Sequence, residues 1–337
     1  MDITDKKCLV TGGAGFIGSH LVDLLLESNC RVRVIDNLVN GKIENIAQHL
    51  KNTEFDFIHG SITDPFDVER ALDSINIVFH LACLGVRHSI THPFENHRVN
   101  AEGTLLLLEA AQRHRVDRFV YCSSSEVYGT AEMVPMLESH PTRPCTVYGS
   151  SKLAGESYAR AYYTTYGFPT VIVRPFNTFG PRSHHEGDAG ELIPKSIVRA
   201  LTGEPLLIFG DGTHTRDFTY VQDIARALKI AAEADAVTGD TFNIGSNFEI
   251  SIKDVARKIL ALVENTKSEI IFETDRPGDV HRLYANSQKF RDTCQWQPLI
   301  DFDQGLVQTI NFFRKHPVGL KNLMNQEKGR NWELQER

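Results

Sequence analysis

The 337-residue sequence predicts an α/β protein with a doubly wound parallel sheet and a smaller mixed α/β C-terminal domain. In the first half, short β-branched runs alternate with amphipathic stretches, which is typical of parallel strands covered by helices on both faces. After Pro175 this alternation gives way to a region rich in glycine and proline. The length also exceeds what one compact core holds efficiently, which favours a second domain.

The elements are predicted from the spacing of apolar residues, which is two in strands and near 3.6 in helices. The predicted strands of the first half are Cys8–Val10, Arg31–Ile35, Asp56–Ile58, Ile77–Leu81, Arg118–Tyr121 and Thr170–Arg174. The helices predicted between them are Phe16–Glu27, Asp67–Leu72, Val99–His114 and Ser150–Tyr166. The helices predicted beyond Pro175 are Val221–Ala234, Ile252–Glu264 and Gly305–Lys315. The polar tail after Pro317 is expected to be peripheral.

Composition argues against several classes of protein. The chain is 41% hydrophobic and 23% charged, as ordinary soluble globular proteins are. Its formal net charge of −7 argues against nucleic acid as a partner, because phosphate backbones select strongly basic faces. No apolar run approaches the roughly 18 residues that a membrane span needs, so no membrane partner is expected. Acidic residues also stand where a signal peptide has its basic start.

Cysteine and histidine indicate neither a disulfide framework nor a metal site. The six cysteines are scattered without a Cys-x-x-Cys pair, which favours reduced thiols and a cytoplasmic location. His88, His92 and His97 lie close together in the sequence, but Pro93 interrupts any helical face that would align them as ligands. We therefore expect a cytoplasmic protein without a metal.

A glycine-rich turn joins the first strand to the first helix. Gly12, Gly15 and Gly18 are spaced three apart, which permits a tight turn and lets a pyrophosphate approach the helix N-terminus. Asp36 ends the second strand, 18 residues beyond Gly18, about where an acid bonds a ribose 2′-hydroxyl and repels a 2′-phosphate. Asp36 could otherwise cap a turn in an unrelated α/β protein. The pattern predicts a Rossmann-type domain that binds NAD rather than NADP.

A second motif supplies acid–base chemistry. Tyr148 and Lys152 are four residues apart at the start of a predicted helix, so they share one helical face. A phenol has a pKa of about 10, and a neighbouring ammonium together with a positive nicotinamide ring lowers it. Tyr148 can then take the proton of a sugar hydroxyl while hydride leaves the same carbon. Ser124 lies just after the fifth strand, where its hydroxyl can orient the reacting oxygen.

With these motifs the chain resembles the extended short-chain dehydrogenase/reductases, the NAD-dependent epimerase/dehydratase family that acts on nucleotide sugars. The resemblance runs from about Lys7 to Phe313. It is also carried by Leu81-Ala82, Asn100 before Gly103-Thr104, and the segments 174–182 (RPFNTFGPR), 215–221 (TRDFTYV) and 276–280 (RPGDV). It implies that residues 1–175 and 219–245 bind NAD, that 176–218 and 246–315 bind the substrate, and that 316–337 form the polar tail.

The resemblance also implies roles for individual residues. The implied catalytic residues are Ser124, Tyr148 and Lys152, with Ser125 and Glu126 beside them. The implied cofactor-binding residues are Gly12, Gly15, Phe16, Ile17, Gly18, Asp36, Asn37, Ser61, Ile62, Leu81, Ala82, Asn100, Tyr148, Lys152 and Pro175. The implied substrate-binding residues are Arg87, Asn177, Arg216, Arg276 and Asp279, with Arg216 and Arg276 placed around the diphosphate. Ser61 stands where the family often has an aspartate, and it is expected to contact the adenine more weakly.

The same resemblance leaves three reactions open, each beginning with oxidation of the sugar at C4. Glu126 favours a 4,6-dehydratase acting on a UDP-N-acetylglucosamine-type sugar, because a carboxylate there can remove the C5 proton. Segment 243–250 (NIGSNFEI) resembles such dehydratases, whereas Ser125 is a weak acid for the departing hydroxyl. Segment 86–90 (VRHSI) resembles a loop of UDP-sugar 4-epimerases, the second candidate. A UDP-glucuronate decarboxylase is the third, although segment 276–280 departs from that group's arginine-rich stretch. Glu126 could instead pair with a base such as Arg87.

Two further classes remain. An NAD-sensing binding protein would keep the glycine turn but would not need Tyr148 and Lys152, so their presence argues against it. A dehydrogenase that releases NADH would change the absorbance of the bulk solution. By analogy with relatives, helices Val99–His114 and Ser150–Tyr166 are expected to pair across a two-fold axis as the four-helix bundle of a homodimer.

Overall fold

The computed structural model describes residues 1–264, 266–275 and 279–330. Its strands are β1 Lys7–Thr11, β2 Arg31–Asp36, β3 Phe55–His59, β4 Ile77–His80, β5 Arg118–Cys122, β6 Thr170–Pro175, β7 Asn177–Phe179, β8 Leu206–Phe209, β9 Thr215–Tyr220, β10 Thr241–Ile244, β11 Glu249–Ser251, β12 Ile270–Glu273 and β13 Arg282–Leu283. Its helices are α1 Phe16–Glu27, α2 Pro65–Leu72, α3 Val86–Thr91, α4 Pro93–His97, α5 Gly103–Arg113, α6 Val147–Tyr166, α7 Leu192–Thr202, α8 Val221–Glu233, α9 Ile252–Leu262, α10 Gln288–Cys294, α11 Phe302–Arg314 and α12 Leu320–Gln326.

The large sheet has seven strands in the order β10-β6-β5-β4-β1-β2-β3. Every neighbouring pair in it is parallel. Because side chains alternate along a strand, Cys8 and Val10 face one core while Leu9 faces the other. Helices α1 and α8 cover the first face, and α2, α5 and α6 cover the second. The predicted doubly wound Rossmann-type fold is confirmed.

Part of the second half of the chain joins the large sheet, and the rest forms a smaller unit. Helix α8 packs beside α1, and β10 adds the edge strand next to β6, so this segment returns to the large sheet. The remainder forms a mixed unit in which β9 pairs with β7, β11 and β13, and β8 pairs with β12. Its core includes Ile197, Ile259, Leu306 and Ile310 from helices α7, α9 and α11. Hence a smaller α/β unit stands beside the carboxyl end of the sheet.

The segment expected to be a peripheral tail instead contributes to this core. Helix α12 packs on α7, and its Leu323 is fully buried. Glu327 then pairs with Lys195 at 3.2 Å and with Arg199 at 2.7 Å. The sequence hides this docking because only a few apolar side chains of a polar stretch make it, namely Leu320, Leu323 and Met324. No helix in the described ranges combines a bilayer-spanning length with the apolar composition of a transmembrane segment.

Candidate active site

A cleft of about 910 Å³ lies between the carboxyl ends of the large sheet and the smaller unit. Parallel sheets commonly bind ligands at this edge, because the loops after the strands converge there. The cleft brings together nearly all of the predicted site residues: Gly12, Gly15, Phe16, Ile17, Gly18, Asp36, Asn37, Ser61, Ile62, Leu81, Ala82, Arg87, Ser124, Ser125, Glu126, Tyr148, Lys152, Pro175, Asn177, Arg216 and Asp279. Among the described residues only Asn100 of those predicted is not part of this lining, and Arg276 lies outside the described residues.

The glycine turn is packed so closely that no side chain fits at two of its positions. Gly12 has φ +69°, and a Cβ on it would lie 2.8 Å from the backbone of Ala82. A Cβ on Gly18 would lie 2.2 Å from the carbonyl oxygen of Gly12. Both positions therefore require glycine, one for its backbone conformation and both for space. The turn opens α1 at the floor of the cleft, where a helix N-terminus favours an anion.

Asp36 ties this turn to the end of β2. Its carboxylate accepts hydrogen bonds from the Ala14 amide at 3.0 Å and the Leu38 amide at 2.8 Å. Burial raises the pKa of Asp36, and these two hydrogen bonds oppose the rise. Each carboxylate oxygen keeps further acceptor capacity towards the cleft. The residue is thus both a structural anchor of the turn and an acceptor at the cleft wall.

Ser61 stands where the family often has an aspartate, and both its backbone and its side chain are held by residues close to it in the chain. The Ser61 amide donates to Asp67 at 3.0 Å, while its hydroxyl bonds Thr63 at 2.8 Å. Ser61 and Ile62 line the cleft. The side chain of Ser61 is therefore partly engaged within its own loop.

Asn100 is turned away from the cleft that it was expected to line. Its amide accepts from the Leu84 backbone at 2.8 Å and donates to the Leu84 carbonyl at 2.9 Å. It also donates to Asn96 at 3.1 Å and is only 1% exposed. Asn100 holds the loop after β4, whose residues 81–88 line the cleft. Its contribution to the site is to position that loop.

Tyr148, Lys152 and Ser124 converge because α6 begins beside the end of β5. Thr146 caps α6 by accepting from the Gly149 amide at 3.1 Å, which places Tyr148 in the first turn. Lys152 lies one turn later and donates to the Cys122 carbonyl at 2.6 Å. Its ammonium also stands 4.9 Å from the centre of the Tyr121 ring. Lys152 is thus fixed at the strand end from which Ser124 projects.

Burial controls the charge state of this group. Burial raises the pKa of Tyr148 well above that of a free phenol, and the Lys152 ammonium and a hydrogen bond with Ser124 oppose that rise only in part. Burial lowers the pKa of Lys152, but the surrounding Tyr121, Cys83 and Tyr148 raise it by more, so Lys152 stays a cation. Lysine alone therefore does not bring Tyr148 into the neutral range. More positive charge is needed beside the phenol.

The next residues form a short helical turn that aims a carboxyl into the cleft. Ser124 caps this turn by accepting from the Glu126 amide at 3.2 Å. Ser125 is 4% exposed, whereas Glu126 is half-buried and lines the cleft with Tyr148. A carboxylate and a phenol in one cleft can each accept a proton from the same small molecule.

The opposite wall comes from the smaller unit. Arg216 pairs with Asp279 at 2.9 Å, and both line the cleft. The amide oxygen of Asn177 is buried without a hydrogen-bond partner in the described part of the chain. Since buried polar atoms are normally paired, Asn177 is a candidate for ligand contact. This wall therefore combines a cation, a carboxylate and an amide.

Several residues that line the cleft belong to none of the predicted motifs. Lys42 pairs with Glu186 across the cleft edge at 2.8 Å. Cys83, His184 and Glu191 also line the cleft. All but Lys42 and Cys83 belong to the region between Phe176 and Gly212, which lacks periodicity, so no local pattern marks them. Across the described residues, no cluster of three or more His, Cys, Asp and Glu side chains could hold a metal ion.

Comparison with known proteins decides the family. Residues 9–309 match the model of the family described as GDP-mannose 4,6 dehydratase. The chain belongs to this family. It is 35% identical over 311 residues to a putative UDP-glucose 4-epimerase of Methanocaldococcus jannaschii, covering 91% of this chain and 98% of the relative. This confirms the resemblance to extended short-chain dehydrogenase/reductases.

Other family members carry out different reactions. A UDP-N-acetyl-alpha-D-glucosaminuronate decarboxylase of Bacillus cytotoxicus is 35% identical, covering 92% of this chain and 98% of the relative. The structure of DesIV, a dTDP-glucose 4,6-dehydratase from Streptomyces venezuelae with NAD bound, superposes with a TM-score of 0.86 at 30% identity, covering 92% and 97% of the two chains. The chain thus belongs with nucleotide-sugar dehydratases, epimerases and decarboxylases.

Proposed function

We propose that this protein is an NAD-dependent enzyme that oxidises C4 of a nucleotide sugar. More specifically, we propose a 4,6-dehydratase that acts on a UDP-sugar of the N-acetylglucosamine type. The observation that carries the proposal is that Tyr148, Lys152 and Ser124 share one cleft with the glycine turn and with Glu126. The family shows an enzyme of this group, and the site residues support the finer assignment.

The cleft fits a dinucleotide. Because Gly12 and Gly18 carry no side chain, the turn packs tightly against its own backbone, and it opens a helix N-terminus suited to a pyrophosphate. Asp36 offers acceptor oxygens to ribose hydroxyls and would repel a 2′-phosphate, which favours NAD over NADP. When bound, NAD supplies a hydride acceptor with a positively charged ring. The remaining chemistry belongs to the side chains of this protein.

Tyr148 is the proposed base for the C4 hydroxyl. Burial holds the Tyr148 pKa high, and Lys152 opposes it together with the positive charge that a bound nicotinamide ring would supply. Ser124 hydrogen-bonds the phenol and can orient the reacting oxygen. Lys152 remains a cation and so stabilises the phenolate. Tyr148 therefore takes the hydroxyl proton as C4 becomes a ketone.

Glu126 favours a dehydratase among the family's reactions. A ketone at C4 acidifies the C5 proton, and Glu126, which lines the cleft with Tyr148, is the proposed base that removes it. A plain 4-epimerase turns the keto-sugar over and returns the hydride, so it needs no second base. Arg216, Asn177 and Asp279 are proposed to bind the nucleotide diphosphate and ribose. Arg87 is proposed to contact the sugar.

A UDP-sugar 4-epimerase is the second candidate, favoured by segment 86–90 and by the identity to the Methanocaldococcus relative. Decarboxylation of a uronate is the third candidate, favoured by the identity to the Bacillus cytotoxicus relative.

One experiment separates these reactions. The purified protein is incubated with NAD and a panel of UDP-, GDP- and dTDP-sugars, and the product masses are read. We expect a product lighter by one water from UDP-N-acetylglucosamine. An isomer of unchanged mass means epimerisation, and loss of carbon dioxide from a uronate means decarboxylation. If no sugar reacts although NAD binds, the binding-protein alternative holds.

A further inference from the structure

Glu191 lines the same cleft as Tyr148. It belongs to none of the sequence motifs, and the proposed reaction gives it no role. Glu191 immediately precedes α7, yet its side chain does not cap that helix. No hydrogen bond or ion pair to the described part of the chain engages its carboxyl; only burial and the fields of more distant charges act on it. A half-buried carboxyl that serves neither its helix nor a partner is available to a ligand.

Helix α3 links the surroundings of Glu191 to the catalytic helix. It packs against α6 and against the turn 187–189, which lies two residues before Glu191. Arg87, in the first turn of α3, lines the cleft together with Tyr148 and Glu191. The field of Arg87 acts on the Glu191 carboxyl, as does that of His184. A sugar bound beside Tyr148 and Arg87 would accordingly share this cleft with the carboxyl of Glu191.

The nearby carboxyl of Glu186 differs from that of Glu191 in its partners and in its pKa. Glu186 pairs with Lys42 at 2.8 Å and with His184 at 3.0 Å, and its pKa is lowered. Burial raises the pKa of Glu191 to about 7, with the positive fields of His184 and Arg87 acting in the opposite direction. Lys195, one turn further along α7, is engaged by the carbonyl of Lys328 at 2.5 Å. One carboxyl of this loop is thus held ionised while the other can carry a proton near neutral pH, which is the arrangement of an acid.

The proposed reaction lacks such an acid. Glu126 removes the C5 proton, but Ser125 is too weak to protonate a departing C6 hydroxyl. We propose that Glu191 is the general acid that protonates the C6 hydroxyl of the sugar as it leaves. This inference rests on the proposed dehydratase function.

The step balances in atoms and charge. Glu126 takes the C5 proton, the C6–O bond breaks, and the hydroxyl leaves as water with the proton of Glu191. The hydride removed from C4 is returned at C6, and the proton on Glu126 is returned to C5. Tyr148 gains one proton from the C4 hydroxyl and Glu191 gives up one proton, so the total number of protons on the protein is unchanged. The net change is the loss of one water.

The test compares two leaving groups in the Glu191→Gln variant. Fluoride leaves without a proton, so UDP-6-deoxy-6-fluoro-N-acetylglucosamine does not need the acid. With UDP-N-acetylglucosamine we expect turnover to fall by about 10²–10⁴-fold, the usual contribution of a general acid, and with the fluoro substrate to stay within about tenfold of wild type. Glu191→Asp should recover part of the lost turnover. Glu204→Gln, an exposed change just beyond the far end of α7, is the matched control and should act as wild type on both substrates.

Each other result overturns the assignment. An equal loss on both substrates makes Glu191 a binding or structural residue, and unchanged turnover on both removes it from the reaction. If the wild-type protein gives no dehydrated product, the proposed function fails and the role of Glu191 falls with it. If the wild type dehydrates and only the leaving-group difference is absent, the proposed function stands and this inference alone fails.

Discussion

Tyr148 shows how position changes the chemistry of one side chain. Its phenol is half-buried, and burial outweighs the help of Lys152 and Ser124. The spacing of Tyr148 and Lys152 was sufficient to predict that they meet, because residues four apart share a helical face. It could not predict the balance of burial and charge, since that depends on how β5 and the loop after β4 enclose the phenol.

Tyr148→Phe removes the proposed base and leaves the ring in place. We expect turnover of the nucleotide sugar to fall by at least about 10²–10⁴-fold, because phenylalanine has no oxygen that can accept the proton of the C4 hydroxyl. NAD binding, followed by calorimetry, should be retained. Tyr166→Phe lies on the same helix, 60% exposed, and serves as the control. Near wild-type turnover in Tyr148→Phe would falsify its assignment as the base.

Glu126→Gln should separate oxidation at C4 from loss of the C6 hydroxyl. The amide cannot take the C5 proton, so loss of the C6 hydroxyl should stop while oxidation at C4 continues. A single-turnover experiment would then show nicotinamide reduction without a product lighter by one water. Glu132→Gln, an exposed change a few residues further along, is the control. Unchanged dehydration in Glu126→Gln would assign Glu126 a structural role instead.

At the scale of elements, a buried ion pair joins α6 to β6 beneath the site. Glu156 is fully buried and accepts from Arg174 at 2.8 and 2.5 Å and from Ser123 at 2.5 Å. Arg174 also donates to the hydroxyl of Tyr128 at 2.7 Å. Glu156 lies one helical turn after Lys152, so the pair fixes the helix that carries both catalytic candidates.

Glu156→Gln would leave the Arg174 charge buried without its anion. We expect a loss of about 3–5 kcal/mol in the free energy of unfolding, the usual cost of breaking a buried pair from one side. Urea denaturation measures it. Glu54→Gln is exposed and should stay within about 0.5 kcal/mol of wild type. A similarly small loss for Glu156→Gln would mean that water or a shift of the helix replaces the pair.

The elements that the sequence predicted and those it missed differ in their periodicity. Helix α1 has the predicted bounds Phe16–Glu27, because a glycine turn and a long apolar face mark it. Helix α7 carries Pro194 in its first turn and follows an aperiodic region, so the sequence did not mark it. Helices α3 and α4 are short, and Pro93 begins the second of them. Short helices are stabilised by their tertiary contacts, which no local pattern records.

At the scale of the whole molecule, α5 and α6 leave apolar side chains exposed on one face of the large sheet. Leu105 is 39%, Tyr163 40% and Tyr166 60% exposed. Exposed apolar groups on adjacent helices are typical of an interface between copies, and two-fold dimers are the commonest arrangement. This keeps the homodimer as a prediction.

Light scattering coupled to gel filtration tests that prediction. We expect twice the mass of the chain for the wild type and a shift towards the monomer for Leu105→Glu. Leu299→Glu places the same charge on another exposed leucine, 61% exposed, and should leave the mass unchanged. A wild-type monomer at working concentration would exclude the four-helix bundle.

The sequence by itself determined the sheet, the glycine turn, the spacing of Tyr148 and Lys152, and the family resemblance, because each depends on residues close together in the chain. Tertiary structure decided what depends on distant residues. It turned Asn100 towards the Leu84 backbone, docked α12 on α7, and paired Arg216 with Asp279. It also brought Glu191 into the cleft of Tyr148, where burial rather than sequence context sets whether a carboxyl holds its proton.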